Sequence, residues 1–275
     1  VERVVDIDEA RSSILLPPTT MTLYIPIIYE DTELLVIDKP SGVAVHAGPA
    51  PTYRSVRAGP GVKEEVITDW LVEHIPRIKE VGDPSTGSGQ EIWRPGIVHR
   101  LDKETSGVMV IAKDQPTFVT LKELFKNRLI EKKYLALVCH PMKEKSGVIE
   151  TSLARSKKFG KFSAKESLHR GKVRQAKTIW TLKKNLPEHA WLELEPKTGR
   201  THQLRVHLAS TGHPIAGDQT YGGKNCAPKG LNRLFLHASS LSFSLGKQRF
   251  LFEATLPQDL KNILETLGYN LEGLS

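Results

Sequence analysis

One carboxylate beside basic side chains is the main candidate for chemistry in this sequence. The stretch HRLDKETSG places Arg100 and Asp102 in a polar loop between two short apolar segments. Loops held between rigid elements often carry functional groups, and Gly107 lets the backbone approach a ligand closely. A carboxylate there can act as a nucleophile. On residue type alone, a surface salt bridge or a turn is the commoner role of such an aspartate.

A buried arginine is the second candidate. The stretch RTHQLRVHLASTG predicts a helix that stops at Gly212, and spacings of three and four put Leu204, Arg205 and Leu208 on one face. We therefore expect Arg205 to point into the protein. A buried guanidinium needs a carboxylate partner, because an unpaired buried charge costs several kcal/mol. Asp102 is one available partner, and a structural ion pair with another acid is the alternative.

Other kinds of site lack their residue patterns. There is no HExxH zinc motif. His202 and His207 are five residues apart, a spacing that points their side chains to different faces of a helix. Phosphate-binding GxxxxGK[ST] and GxGxxG motifs and the GxSxG motif of hydrolases are also missing. The two cysteines have no CxxC partner, so neither a disulfide nor a zinc site is indicated, and a reducing cytosol fits best. We expect no metal and no cofactor.

Strands and helices in mixed order must position these groups. IPIIYEDTELLVIDKP predicts two strands around a turn, and SGVMVIAKD predicts a buried strand. VITDWLVEHI predicts a helix capped near Thr68, and Asp114 is placed to cap the helix PTFVTLKELFKNRLI. KKYLALVC, GVIETSL, VRQAKTIWTL and AWLELEP predict further strands, and PQDLKNILETLG predicts a last helix. Without strict βαβ alternation, this order favours an α+β fold with a mixed, largely antiparallel sheet flanked by helices.

The charge is concentrated in the middle of the chain. The 275 residues carry a net charge of +8, with 39% hydrophobic residues, as in an ordinary folded protein. Residues 122–184 hold 18 Lys and Arg against 5 Asp and Glu. Basic residues interleaved with phenylalanines there predict contacts with nucleic-acid phosphates, although a solvated basic hairpin is the alternative. The predicted RNA-binding residues are Lys157, Lys158, Lys161, Lys165, Arg170, Lys172 and Arg174.

At these motifs the sequence resembles the RluA/RluD-type pseudouridine synthases, which isomerise uridine to pseudouridine in structured RNA. Three stretches carry the resemblance: YEDTELLVIDKPSGVAVH, GIVHRLDKETSGVMVIAK and KTGRTHQLRVHLASTGHPIAGDQTYGG, with KKYLALV as a fourth. They span nearly the whole chain from residue 25 to residue 256. The resemblance implies the pseudouridine synthase fold and activity without a cofactor.

The resemblance also implies roles for single residues. Asp102 matches the catalytic aspartate, Tyr134 the tyrosine that stacks on uracil near the proton at carbon-5, and Arg100 the arginine that fills the place of a flipped nucleotide. Arg205 is expected to keep the aspartate ionised. The remaining expected substrate-binding residues line or shape the pocket: Leu204, His99, Thr105 and Gly107.

Domain organisation and partners complete the expectations. About 24 residues precede the first matched stretch, too few for an S4-type RNA-binding domain, so we expect an N-terminal arm or remnant at 1–24 and a catalytic domain at 25–275. We expect a cytoplasmic monomer with ribosomal or transfer RNA as its partner and no membrane contact. A non-catalytic RNA-binding or ribosome-assembly protein and a nucleoside glycosidase, which would need two carboxylates, are the alternatives.

Overall fold

A computed structural model describes residues 23–46, 65–83, 94–157 and 161–270. The chain divides into two compact units. Unit 1 comprises Val1–Ile130 and Ser242–Glu253, and unit 2 comprises Glu131–Leu241 and Ala254–Ser275. Residues 1–22, most of the predicted arm, lie outside the described residues, and the division into an arm and one catalytic domain stays a prediction.

The strands and helices confirm the α+β class. The strands are β1 Ile27–Glu30, β2 Leu34–Lys39, β3 Ser106–Ala112, β4 Glu131–Cys139, β5 Ser146–Ser156, β6 Phe162–Ser163, β7 His169–Leu186, β8 His189–Pro196, β9 Leu236–Leu245 and β10 Gln248–Glu253. The helices are α1 Ile67–His74, α2 Gln115–Lys126, α3 Gln203–Ser210 and α4 Gln258–Thr266. No helix among the described residues is long and apolar enough to cross a membrane.

Unit 1 is built on antiparallel strands in the order β1-β2-β3, and β10 pairs with β9. All seven residues of β3 and most of β2 are buried, so their apolar runs form a core covered on both faces. Asp114 caps α2 as predicted, because its Oδ1 accepts a hydrogen bond of 2.8 Å from the Thr117 amide. The predicted cap of α1 is wrong: Val66 occupies the cap position, and Thr68 lies buried inside the helix.

Unit 2 is a sheet in the order β9-β4-β8-β7-β5-β6. Strand β4 pairs with β8, β8 with β7, β7 with β5 and β5 with β6, and all four pairings are antiparallel. The core contains Trp191 from β8, Phe235 from the residue before β9 and Leu260 from α4, each fully buried. The 18-residue strand β7 and its partner β5 form a long hairpin, and β7 carries Arg170, Lys172 and Arg174 of the predicted RNA-binding residues.

The two cysteines form a disulfide, so the sequence-based expectation of none is wrong. Cys139 at the end of β4 is disulfide-bonded to Cys226, with their Cα atoms 5.8 Å apart and a sequence separation of 87. The bond fixes the 223–226 turn to strand β4 within unit 2. Spacing motifs detect only cysteines that are close in sequence, so this pairing, made by the fold, left no local signal.

Two buried histidines make stability depend on pH. His207 in α3 lies 2.9 Å from the Thr178 hydroxyl, and His237 in β9 lies 3.0 Å from the Ala254 carbonyl. Burial lowers the pKa of each imidazole from 6.5 to about 4. Since the folded pKa values are depressed, this stability is complete above pH 6.5 and is lost as the pH falls towards 4.

We therefore expect each histidine to remove roughly 2 kcal/mol from the free energy of unfolding between pH 7.5 and pH 5. Urea denaturation at both pH values measures the loss, and His207→Gln or His237→Gln should halve it. Equal free energies of unfolding for the wild-type protein at the two pH values would contradict this interpretation.

Candidate active site

Asp102 lies in a tight loop directly before β3. Its side chain is half-buried, and its carbonyl accepts a hydrogen bond of 3.1 Å from the Thr105 amide. Thr105 is 2% exposed, so it lies on the buried side of the loop. Gly107 has φ +117°, a conformation that favours glycine, where the chain enters β3. The sequence predicted that Thr105 and Gly107 shape this loop, and both that role and a role in substrate binding stay predictions.

A buried lysine that sequence reasoning missed anchors the same loop. Lys39, at the end of β2, is 0% exposed, and its Nζ donates to the carbonyls of Pro40 at 2.8 Å, Val43 at 2.8 Å and Lys103 at 3.1 Å. The Gly42 amide also donates to the Lys103 carbonyl, at 2.8 Å. These bonds join the turn after β2 to the residue that follows Asp102. A lysine closing an apolar strand in DKPSG was the available signal, because a buried ammonium requires such acceptors.

His99 and Arg100 precede Asp102 in the loop, and their side chains have different surroundings. The His99 Nε2 accepts a 3.0 Å hydrogen bond from the Val110 amide, so this nitrogen carries no proton, and the ring stacks on Phe125 at 4.5 Å. His99 therefore supports the loop from strand β3. Arg100 is exposed, and its guanidinium lies 3.3 Å from the imidazole of His46. The predicted substrate-binding role of Arg100 stays a prediction.

Arg205 is buried, as its helical spacing predicted. It is 4% exposed in α3, and its Nε and Nη2 donate to the two carboxylate oxygens of Asp218 at 2.7 and 2.8 Å. Asp218 is 0% exposed, so this is a bidentate ion pair inside unit 2. The sequence offered Asp102 as the available partner and another acid as the alternative. Asp218 is such an acid, and an interaction of Arg205 with Asp102 stays a prediction.

The loop after α3 is built around the Asp218 carboxylate. Besides Arg205, its Oδ1 accepts the amides of Thr220 at 2.8 Å and Tyr221 at 3.1 Å. A Cβ on Gly223 would lie 1.7 Å from the Ile215 carbonyl, so only glycine allows this loop to close. The stretch GDQTYGG stood out in the sequence, but no role was predicted there for Asp218 or Tyr221. An acid between glycines after a helix with a buried arginine was the signal that could have found them.

Tyr134 and Leu204 both belong to the core of unit 2. Tyr134 in β4 is half-buried, stands opposite Leu194 of β8 and packs against the main apolar cluster. Leu204 is 7% exposed and lies in the same cluster. These positions agree equally with core packing and with the predicted pocket roles, so those roles stay predictions.

The predicted RNA-binding residues lie on the β5-β7 hairpin and on the segment that connects its two strands. Lys157, Lys165, Arg170, Lys172 and Arg174 are exposed, whereas Lys161 is half-buried and donates to the Thr220 carbonyl at 2.8 Å. Lys158 lies outside the described residues.

One further basic residue of this hairpin was missed by sequence reasoning. Arg155 of β5 is exposed and stands directly opposite Arg170 of β7 in the strand register. Two like charges placed opposite each other destabilise a hairpin unless an anion lies between them or near them. A bound anion would therefore stabilise this pair, and RNA binding by the hairpin stays a prediction.

Potential metal ligands do not cluster in the part of the chain that the structure describes. No group of three or more His, Cys, Asp or Glu side chains able to hold a metal occurs within its four stretches.

Comparison with known proteins decides the family. Residues 33–210 match the RNA pseudouridylate synthase family, a span that contains Asp102, Tyr134 and Arg205. The chain belongs to this family. It is 36% identical over 252 residues to the ribosomal large subunit pseudouridine synthase D of Borreliella burgdorferi, covering 90% of this chain and 70% of that protein. It is 33% identical over 248 residues to the ribosomal large subunit pseudouridine synthase C of Haemophilus ducreyi, covering 88% and 68%.

A solved structure of the same family supports the fold. Human RNA pseudouridylate synthase domain containing 4 superposes with a TM-score of 0.65 at 27% identity, covering 88% of this chain and 93% of that one. The resemblance seen in the sequence is thereby confirmed, and the chain is a pseudouridine synthase with an α+β pseudouridine synthase fold.

Proposed function

We propose that this pseudouridine synthase isomerises specific uridines in large-subunit ribosomal RNA, with Asp102 as the catalytic carboxylate and without a cofactor. The observation that carries the proposal is the HRLDKETSG loop, which places Asp102 within the family match and is held by the buried Lys39. The names of the relatives support ribosomal RNA as the substrate class. Transfer RNA is the second candidate substrate.

The reaction balances without any oxidant or reductant. The N1–C1′ bond of uridine breaks, the uracil turns over, and a C5–C1′ bond forms. The proton leaves carbon-5, and N1 ends as an N–H group. A carboxylate can promote this by attack at C1′, by attack at carbon-6 or by driving elimination from the ribose. Such chemistry needs an unstacked base, because a paired uridine hides both reacting atoms.

The other residues have proposed roles in the same reaction. Tyr134 stacks on the uracil, and its hydroxyl lies near the carbon-5 proton. Arg100, exposed beside Asp102, fills the space left by the flipped nucleotide. Arg205 supplies positive charge that favours the ionised aspartate, and Leu204 excludes water from the pocket. His99 and Thr105 hold the loop through the hydrogen bonds described above, and Gly107 supplies the left-handed backbone conformation at the start of β3.

The basic hairpin, formed by β5, β7 and the segment between them, is proposed to bind the RNA backbone. Arg155→Gln or Arg170→Gln should weaken RNA binding about threefold to tenfold at low salt. Either change should also reduce the slope of log affinity against log salt by about 0.7–0.9 for each phosphate that the variant no longer neutralises. Filter binding at several salt concentrations measures both quantities. Lys247→Gln, an equal charge change at an exposed turn of unit 1, is the control and should leave the slope unchanged. A slope that both hairpin variants leave intact would favour the solvated hairpin.

One assay separates the proposed function from its alternatives. The purified protein is incubated with a large-subunit ribosomal RNA transcript, and nucleosides are quantified after complete digestion. Formation of pseudouridine with no change in RNA mass supports the proposal. Release of free uracil from uridine supplied in a parallel reaction would identify a nucleoside glycosidase, and RNA retained in filter binding without any product would identify a non-catalytic RNA-binding protein.

A further inference from the structure

A continuous set of contacts connects the basic hairpin to the buried Arg205. We infer that Tyr221 is a positioning residue that couples RNA bound at the hairpin to the orientation of the Arg205 guanidinium. The inference rests on the proposed function, because it assigns Tyr221 to the same RNA-modifying site. The contacts that carry it lie within unit 2.

The Tyr221 ring lies against the arginine. The guanidinium carbon of Arg205 is 5.2 Å from the centroid of the Tyr221 ring, within the range of a cation–π contact. Asp218 fixes the guanidinium through two hydrogen bonds and also accepts the Tyr221 amide. The ring and the carboxylate thus hold the guanidinium from two sides. A shift of the tyrosine would therefore move the arginine or weaken its contacts.

The Tyr221 hydroxyl contacts both strand β6 and the residue before α3. It accepts a 2.9 Å hydrogen bond from the Phe162 amide in β6 and lies 2.9 Å from the Nδ1 of His202. Since the oxygen accepts from Phe162, the hydroxyl can donate its own proton to His202. His202 has φ +55°, a left-handed conformation uncommon outside glycine, directly before α3. One hydroxyl therefore joins strand β6 to the start of the helix that carries Arg205.

Strand β6 is in turn part of the basic surface. Phe162 pairs with Arg155 of β5, and Arg155 pairs on its other side with Arg170 of β7. Lys161 adds a second bond to the loop, through the Thr220 carbonyl. RNA phosphates bound at Arg155 and Arg170 would fix the position of β6, and the Tyr221 hydroxyl transmits that position to Arg205. Unlike a packing role, this predicts that the effects of Tyr221 and Arg170 depend on each other.

A double-mutant cycle between Tyr221→Phe and Arg170→Gln tests the coupling. Tyr221→Phe keeps the ring over Arg205 but removes both hydroxyl contacts. We expect it to lower kcat/KM about tenfold. In the double variant, Arg170→Gln should cost at least about threefold less than it does alone. Tyr221→Leu, which also removes the ring, should lower kcat further. Tyr269→Phe, in the core of the same unit, is the matched control.

The outcomes separate the inference from the proposed function. Wild-type conversion with a non-additive cycle supports both. Wild-type conversion with effects that multiply independently overturns the inference and leaves the proposed function intact. A loss of melting temperature in Tyr221→Phe with no dependence on Arg170 shows a purely structural tyrosine and overturns it as well. Absence of wild-type conversion overturns the proposed function, and the inference with it.

Discussion

Asp102→Asn should lower pseudouridine formation at least about 10³-fold while leaving RNA affinity within about twofold of the wild-type value. The amide keeps the size of the side chain but is not nucleophilic, so only the chemical step is removed. Single-turnover conversion of a ribosomal RNA transcript measures the rate, and filter binding measures the affinity.

Glu104→Gln is the matched control for this experiment. It removes the same charge two residues away in the same loop, and we expect its rate to stay within a few-fold of the wild-type rate. A near-normal turnover by Asp102→Asn would exclude this carboxylate as the essential group. An equal loss in both variants would point to the net charge of the loop instead.

Asp218→Ala should lower the free energy of unfolding by about 3–5 kcal/mol, because it leaves a 4% exposed guanidinium without its bidentate partner. Chemical denaturation measures the loss. Replacing both partners, as in Arg205→Met with Asp218→Leu, should recover much of the stability, since no buried charge remains at this pair. If Arg205 takes part in the reaction, the double variant should form no pseudouridine even though its stability is recovered.

The chain provides a second arginine–aspartate pair, with an exposed carboxylate, for comparison. Arg233 and Asp259 are also bonded through two contacts, at 2.6 and 3.1 Å, but Asp259 is 57% exposed. Asp259→Ala should therefore cost no more than about 1 kcal/mol. Equal losses for Asp218→Ala and Asp259→Ala would show that burial does not set the strength of the inner pair.

Local signals predicted the parts of the fold that local interactions determine. The Asp114 cap follows from a short side chain three residues before a free amide, and it formed as predicted. The burial of Arg205 followed from helical spacing. The helix α3 nevertheless begins only at Gln203, because His202 takes a left-handed conformation that holds its ring near Tyr221.

Contacts between residues far apart in the chain could not be predicted from local sequence patterns. Asp218 reaches Arg205 only because the glycine-containing loop after α3 folds back, and Cys226 meets Cys139 across 87 residues. Lys39 anchors the Asp102 loop from 64 residues away. Motif matching located the candidate site, but the residues that hold it in place depend on three-dimensional packing.

A map of pseudouridines in large-subunit ribosomal RNA from cells lacking the protein, complemented with either wild-type or Asp102→Asn protein, tests the catalytic role of Asp102 most directly. We predict that defined sites lose pseudouridine in its absence and regain it with the wild-type protein alone. Restoration of those sites by Asp102→Asn would contradict that role.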